Sequence, residues 1–178
     1  MVAQKPLQKL TLVLGGAASG KSAFAEALVT GTGRRRVYLA TAQAFDAEMA
    51  DKIEAHRTAR GTGWHTVEAP QDIAAPLSRV SPQDIVLLDC ATLWLSNRLL
   101  VDADLSASPA KMLAALAACP APVVVVSNEV GQGIVPEHAM GRTFRNAQGR
   151  LNQALATEAG LVVQVIAGLP LVLKGALP

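Results

Sequence analysis

Residues 10–22 read LTLVLGGAASGKS, an apolar run followed by a glycine-rich segment. The apolar run Leu10–Leu14 predicts a buried β-strand, and Gly15–Ser22 matches the pattern G-x-x-x-x-G-K-[ST] of a phosphate-binding loop (P-loop). In such a loop backbone N–H groups surround phosphate oxygens, the lysine reaches the β- and γ-phosphates, and the hydroxyl holds Mg²⁺. A helix through about Val29 follows and adds the positive end of its dipole. The segment therefore predicts a nucleoside triphosphate site rather than a plain glycine-rich turn, with contacts at Gly15, Gly16, Ala17, Ala18, Ser19, Gly20, Lys21 and Ser22.

Short and nearly continuous apolar runs recur along the chain: Val37–Ala40, Ile85–Leu88, Val123–Val126 and Leu161–Ile166. Such runs are typical of parallel strands that are covered on both faces, and the segments between them are long enough for helices. We therefore predict an α/β fold of the P-loop NTPase class, with a mostly parallel central sheet and helices on both faces. Trp64–Glu68 is predicted as an edge strand and Leu169–Lys174 as a last strand. The length fits one domain over residues 1–178.

Two predicted helices bear on function. The first runs from about Asp46, a suitable N-cap, to Arg60, with Gly61 as its stop. One face of this helix carries Met49, Ile53, His56 and Arg60. The second runs from about Glu137 to Ala159, and its expected buried stripe consists of Met140, Phe144, Ala147, Leu151 and Leu155.

Composition limits the class of protein. Hydrophobic residues make up 51% of the chain and charged residues 17%, which excludes an intrinsically disordered chain. The net charge of +2 is too small to predict a nucleic-acid or membrane partner by itself, and we expect no nucleic-acid partner. Cys90 and Cys119 are scattered thiols rather than a disulfide framework, so a cytoplasmic location is expected. No apolar run is long enough to predict a transmembrane helix.

Polar residues follow several of the predicted strands. Asp89 comes directly after Ile85–Leu88, where a P-loop protein needs a second magnesium ligand, although an ordinary cap of the next helix (Ala91–Leu100) is the alternative. Because ligands bind at the carboxyl ends of parallel strands, the glycine-containing loop Asn128–Pro136 is a further candidate. A loop that simply turns explains it equally well.

His56 is the histidine with the most suggestive surroundings, because Arg57 and Arg60 lie beside it. A neutral imidazole can attack phosphorus, and the arginines would stabilise the charge that develops on the phosphate. The residue pattern alone favours a half-buried histidine that packs against the helix face.

Four segments taken together resemble one known family. They are the P-loop, the stretch from Tyr38 to Arg57, the segment Leu88–Trp94 and the segment Ser127–Glu137 (SNEVGQGIVPE). The match continues through Phe144–Gln153. The chain resembles the bifunctional adenosylcobinamide kinase/adenosylcobinamide-phosphate guanylyltransferases of cobalamin biosynthesis, over about residues 10–174.

This resemblance implies two reactions. A nucleoside triphosphate, ATP or GTP, phosphorylates adenosylcobinamide, and GTP then donates GMP to that phosphate with release of pyrophosphate. The GMP passes through a covalent histidine, which is His56 here, with Lys21 also catalytic. Mg²⁺ would be held by Ser22 and Asp89. The resemblance further implies a RecA-like sheet and a homo-oligomer, with a trimer as the expected number. It implies nucleotide contacts, beyond the P-loop, at Thr41, Ala42, Gln43, Arg57, Thr58, Ala59, Arg60, Glu68 and Asp89.

One departure from the family pattern is visible, because Ala18 occupies the place of the usual arginine in the loop. Two simpler functions remain open at this point. A P-loop kinase of another small alcohol would need Lys21, Ser22 and Asp89 but no covalent histidine. A RecA-like nucleotide-binding module would bind nucleotide without any effect of the corrinoid on turnover.

Overall fold

A computed structural model describes residues 6–101 and 104–178. Residues 1–5 and 102–103, which the predicted domain includes, lie outside the described residues. The strands are β1 (Leu10–Gly15), β2 (Arg35–Ala40), β3 (Trp64–Glu68), β4 (Asp84–Asp89), β5 (Val123–Asn128), β6 (Leu161–Ile166) and β7 (Leu169–Lys174). The helices are α1 (Lys21–Gly31), α2 (Ala47–Arg60), α3 (Ala74–Ser78), α4 (Ala91–Leu100), α5 (Ser108–Ala118) and α6 (Ala139–Glu158), with a 3-10 turn at Leu105–Ala107.

The seven strands form one sheet in the order β3-β2-β4-β5-β1-β6-β7. Six of them are parallel, and only β7 runs antiparallel, against β6. Gly15 lies opposite Asn128, and Ala40 lies opposite Asp89, so the last residues of four strands meet at one edge. The sheet confirms the predicted α/β architecture and brings the sequence motifs to its carboxyl edge.

Both faces of the sheet are buried at its five central strands, β2, β4, β5, β1 and β6, which explains the continuous apolar runs there. Alternate strand residues such as Leu12, Leu88 and Val125 pack in one core with α3, α4, α5 and α6. Their neighbours such as Val13 and Val124 pack on the opposite face, under α1. The prediction of helices on both faces is therefore confirmed.

The strand predictions hold to within two residues, and β3, β6 and β7 have the predicted limits. The buried stripe on α6 is partly wrong. Met140 is 63% exposed because the helix begins only at Ala139, so its first turn lies beyond the core. Ala147, Leu151 and Leu155 are buried as expected.

The face of α2 that carries His56 also departs from expectation. Every residue of α2 is half-buried or exposed. Met49, Ile53 and Arg60 are half-buried, whereas His56 itself is exposed. The prediction of a half-buried histidine packed against the helix face, which the residue pattern favoured, is therefore wrong.

Within residues 6–101 and 104–178, no helix is long and apolar enough to cross a membrane.

Candidate functional site

The P-loop connects the end of β1 to the first turn of α1. Gly20 has a φ of +90°, and Ala18, with a φ of +53°, also adopts the left-handed conformation. Gly15 leaves no room for a side chain, because a Cβ there would lie 2.8 Å from the carbonyl oxygen of Val165. Lys21 Nζ donates to the carbonyl oxygen of Gly16 at 3.1 Å, which keeps the ammonium over the loop. The loop thus has the curled backbone that phosphate binding requires.

Asp89 lies at the end of β4, beside the first turn of α1. Its Oδ2 accepts a hydrogen bond from the Tyr38 hydroxyl at 3.1 Å. Burial raises the pKa of Asp89, while the Tyr38 hydrogen bond, His56, Lys21 and the Ser22 hydroxyl act in the opposite direction. The structure therefore brings Ser22, Lys21 and Asp89 together, as the sequence predicts.

The residues present fit a magnesium ion that is shared with a nucleotide. A carboxylate and a hydroxyl are hard oxygen ligands of the kind Mg²⁺ prefers, and the ion commonly takes its remaining ligands from phosphates and water. Since burial disfavours the charged form of Asp89, a nearby cation would stabilise that form. In the described part of the chain, no group of three or more His, Cys, Asp and Glu side chains could hold a metal ion. Ser22 and Asp89 would therefore hold the ion together with the nucleotide phosphates.

Thr41 follows β2 and is fully buried. Its hydroxyl accepts from the backbone N–H of Cys90 at 2.7 Å and donates to the carbonyl oxygen of Cys90 at 2.8 Å. Its own carbonyl oxygen accepts from Asn97 Nδ2 at 2.8 Å. In this structure Thr41 ties the end of β2 to the end of β4. Ala42 and Gln43, the other predicted contacts of this segment, are half-buried beside it.

The helix α2 carries His56 towards the same edge. Asp46 caps it as predicted, with Oδ1 accepting from the N–H of Met49 at 2.8 Å, and Gly61 ends it with a φ of +75°. His56 is exposed, and it is close enough to Asp89 and Glu26 that a positive charge on its ring would lower the pKa of both carboxyl groups. The exposed imidazole is thus accessible at the rim of the site, as a nucleophile must be.

Arg60, one turn after His56, packs against two aromatic rings. Its Cζ lies 3.4 Å from the centroid of the Tyr38 ring and 5.8 Å from that of Trp64. Its Nε is buried and, within the described residues, has no hydrogen-bond partner. A guanidinium stacked in this way keeps N–H groups at its edge for an anion.

Other predicted contacts are exposed on α2 and β3. Arg57, Thr58 and Ala59 are exposed on α2, and Arg57 pairs with Glu54 at 3.0 Å. Glu68 is exposed at the end of the edge strand β3, opposite Ala40. These assignments remain predictions.

The loop after β5 is fixed to the P-loop. The N–H of Glu129 donates to the carbonyl oxygen of Gly15 at 3.0 Å, and Glu129 Oε1 accepts from the N–H of Gly131 at 2.6 Å. Arg145 on α6 donates to the carbonyl oxygen of Gly131. The N–H of Asn128 donates to Thr92 Oγ1 at 2.8 Å. The loop is therefore a supported part of the carboxyl edge.

Two residues of the site have no place among the sequence-based assignments. Tyr38 lies within the predicted strand Val37–Ala40 and was given no role in the site. Glu26 lies on α1 one turn after Ser22, where burial raises its pKa, Arg60 and His56 lower it, and Asp89 raises it. The spacing of Ser22 and Glu26, i and i+4 on a helix that starts at the P-loop, was the signal that could have identified Glu26.

The fold resembles that of a solved ATPase. A prototypical ATPase from the type III secretion system of pathogenic bacteria superposes with a TM-score of 0.55 and 8% identity. The superposition covers 92% of this chain and 56% of that one. At this identity the likeness concerns the fold alone, and it agrees with the predicted α/β architecture.

Sequence relatives are much closer. The bifunctional adenosylcobalamin biosynthesis protein CobP of Pseudomonas aeruginosa is 42% identical over 167 residues, which cover 92% of this chain and 96% of that protein. The bifunctional adenosylcobalamin biosynthesis protein CobU of Escherichia coli is 40% identical over 181 aligned positions, covering 93% and 99%. Residues 11–173 match the family model described as cobinamide kinase / cobinamide phosphate guanyltransferase. With that match spanning nearly its whole length, the chain belongs to the cobinamide kinase / cobinamide phosphate guanyltransferase family.

Proposed function

We propose that this chain is a bifunctional transferase that phosphorylates adenosylcobinamide and then converts the phosphate to adenosylcobinamide-GDP. Its substrates are ATP or GTP for the first step and GTP for the second. The observation that carries the proposal is the convergence of the P-loop, Asp89 and the exposed His56 at one edge of the sheet, in a chain of this family.

In the kinase step the hydroxyl of adenosylcobinamide attacks the γ-phosphorus. The bond from that phosphorus to the β-phosphate oxygen breaks, a nucleoside diphosphate leaves, and the hydroxyl proton passes to solvent. The P-loop N–H groups and Lys21 bind the phosphates and offset their charge. Bound Mg²⁺ would neutralise further charge on the transferred group, and Ser22 and Asp89 would hold it.

In the guanylyl step a ring nitrogen of neutral His56 attacks the α-phosphorus of GTP. The bond to the β-phosphate oxygen breaks, and pyrophosphate leaves. A phosphate oxygen of adenosylcobinamide phosphate then attacks the same phosphorus, the P–N bond breaks, and His56 is restored. Arg60, whose guanidinium is held beside the site, is suited to stabilise the charge on the α-phosphate in both steps.

A labelling experiment tests the proposal. The chain is incubated with Mg²⁺ and GTP labelled at the α-phosphate, denatured, and examined for bound label. We expect label that acid removes and alkali spares, as for a phosphoramidate, and no label on His56→Asn. His138→Asn is the matched control, since His138 is also an exposed histidine but lies before α6, and it should be labelled like the wild type.

The kinase reaction is measured with the same variants. His56→Asn should still transfer the γ-phosphate to adenosylcobinamide, because that step needs no covalent histidine. A wild-type chain that binds GTP but takes no label would favour the monofunctional kinase. Label that persists on His56→Asn would remove His56 as the nucleophile.

The remaining expectations about the whole protein belong to this proposal as well. We propose that it is cytoplasmic and forms a homo-oligomer, with three copies as the expected number. Size measurement in solution by light scattering tests the number of copies.

A further inference from the structure

Tyr38 connects two parts of the candidate site that lie on different elements. It lies on β2 and is only 8% exposed. Its hydroxyl donates to Asp89 Oδ2 at 3.1 Å, and its ring face lies 3.4 Å from Arg60 Cζ. One side chain therefore contacts both the carboxylate of β4 and the arginine of α2.

Arg60 is held mainly by aromatic rings. Trp64 completes the stack, since its ring meets that of Tyr38 edge-on with centroids 6.0 Å apart. The Nη2 of Arg60 lies 3.4 Å from Thr66 Oγ1, a long contact, while its buried Nε has no partner within the described residues. Stacking of this kind fixes a guanidinium in place and leaves its N–H groups available for phosphate.

We propose that Tyr38 is a positioning residue for both transfers, holding Asp89 through its hydroxyl and Arg60 through its ring. For a triphosphate bound by the P-loop, Asp89 acts at the γ-phosphate and Arg60 acts at the α-phosphate. Tyr38 keeps these two side chains in a fixed position relative to each other. This inference rests on the proposed function. It adds Tyr38, which acts on the substrates only through Asp89 and Arg60.

The two contacts can be separated by substitution. Tyr38→Phe keeps the ring and removes only the hydroxyl, so it loses the contact with Asp89. Tyr38→Leu removes both the hydroxyl and the ring face. If Tyr38 were needed only for packing, the Phe variant would not selectively affect the Asp89 measurement while sparing the Arg60 measurement.

The first measurement concerns Asp89. Binding of a fluorescent, non-hydrolysable GTP analogue is titrated with Mg²⁺ in the full chain, without any transfer step. A hydrogen bond from a neighbouring residue orients a metal ligand, and its loss typically costs about 10- to 100-fold in metal affinity, so we expect the Mg²⁺ concentration for half-maximal binding to rise by about tenfold. We expect this increase in both Tyr38→Phe and Tyr38→Leu, and an unchanged affinity for the analogue without Mg²⁺ in Tyr38→Phe.

The second measurement concerns Arg60. The rate of GMP transfer to the protein is followed at saturating Mg²⁺ and GTP. Tyr38→Phe should stay within about twofold of the wild type, because the stack remains, whereas Tyr38→Leu should fall by about tenfold. Arg36→Gln is the matched control, since Arg36 also stacks on Trp64, at 5.2 Å, but on no other residue of the site, and it should react like the wild type.

Thermal denaturation checks that each variant is folded at the assay temperature. Tyr38→Met, with a flexible side chain that fills much of the same space, replaces the leucine variant if that one unfolds. A wild-type Mg²⁺ midpoint in Tyr38→Phe overturns the role towards Asp89. Equal transfer rates in the Phe and Leu variants overturn the role towards Arg60. A wild-type chain that takes no GMP contradicts the proposed function and the Arg60 half, while the binding titration still decides the Asp89 half.

Discussion

Replacing Thr41 by valine should destabilise the protein, because the hydroxyl of this fully buried residue bonds to both backbone groups of Cys90. Valine has nearly the same shape, so the change removes two hydrogen bonds and leaves little cavity. The N–H of Cys90 loses its partner, which costs about 1–3 kcal/mol for a buried donor. The carbonyl oxygen of Cys90 still accepts a hydrogen bond from the N–H of Trp94 at 3.2 Å. Losing the hydrogen bond from the Thr41 hydroxyl to this oxygen therefore costs less, about 1 kcal/mol. We expect the free energy of unfolding to fall by about 2–4 kcal/mol.

Urea denaturation followed by Trp fluorescence measures this loss. Thr41→Ser is the matched control, because it keeps the hydroxyl and removes one buried methyl group, at a cost of about 1 kcal/mol. Thr41→Val should therefore be clearly less stable than Thr41→Ser. Two outcomes would refute this reasoning. One is equal stability of the two variants, and the other is a valine variant whose free energy of unfolding lies within about 0.5 kcal/mol of the wild type, which is the usual range for neutral substitutions.

Three further predictions concern the loop and the sheet. Gly20→Ala should cost about 1–3 kcal/mol in urea denaturation, because a Cβ at a φ of +90° is strained and would lie 3.2 Å from Gly168 Cα, whereas Gly16→Ala meets no atom of the described chain within 4 Å and should cost less. Lys21→Ala should lower the kinase rate by about 100-fold or more while leaving the urea midpoint nearly unchanged; a small kinetic effect would contradict the role of the ammonium. Asp84 accepts from Arg35 at 2.6 and 2.9 Å, which lowers its pKa below the ordinary 3.8. The ionised carboxylate therefore stabilises the fold above about pH 4, and this stabilisation is lost as the pH falls through the lowered pKa. Asp84→Asn should be less stable than the wild type at pH 7, and its free energy of unfolding should fall less on acidification. Parallel curves of stability against pH for the two proteins would contradict this.

The central strands of the sheet were predictable because they are buried on both faces. A short run of apolar residues such as Val123–Val126 is typical of a strand that is covered on both faces, so the limits of the strand follow closely from the limits of the apolar run. The cap at Asp46 was equally predictable, since a carboxylate before an unbonded N–H has a local role that tertiary packing does not change. Met140 shows the limit of periodicity, which identifies the face of a helix but not where along its length the core ends.

The site was predictable only where a motif states its chemistry. Gly15–Ser22 and Asp89 follow from known spacing, and the role of His56 came from the family resemblance alone. Tyr38 was hidden because a tyrosine in an apolar strand is usually core, and only its contacts with Asp89 and Arg60 reveal a polar function. Thr41 stays a predicted nucleotide contact. The bonds of its hydroxyl to Cys90 could not be foreseen, because they depend on the alignment of β2 with β4, which the local sequence does not encode.

The central claim is that His56 carries GMP between two substrates, and peptide mapping tests it most directly. The chain is incubated with GTP and Mg²⁺, digested with trypsin under alkaline conditions, and the peptide Ile53–Arg57, which lies between two cleavage sites, is examined by mass spectrometry. We predict the mass of one added GMP on this peptide, and its loss when adenosylcobinamide phosphate is supplied before digestion. GMP found on another peptide, or GMP on His56 that adenosylcobinamide phosphate does not remove, would contradict the account.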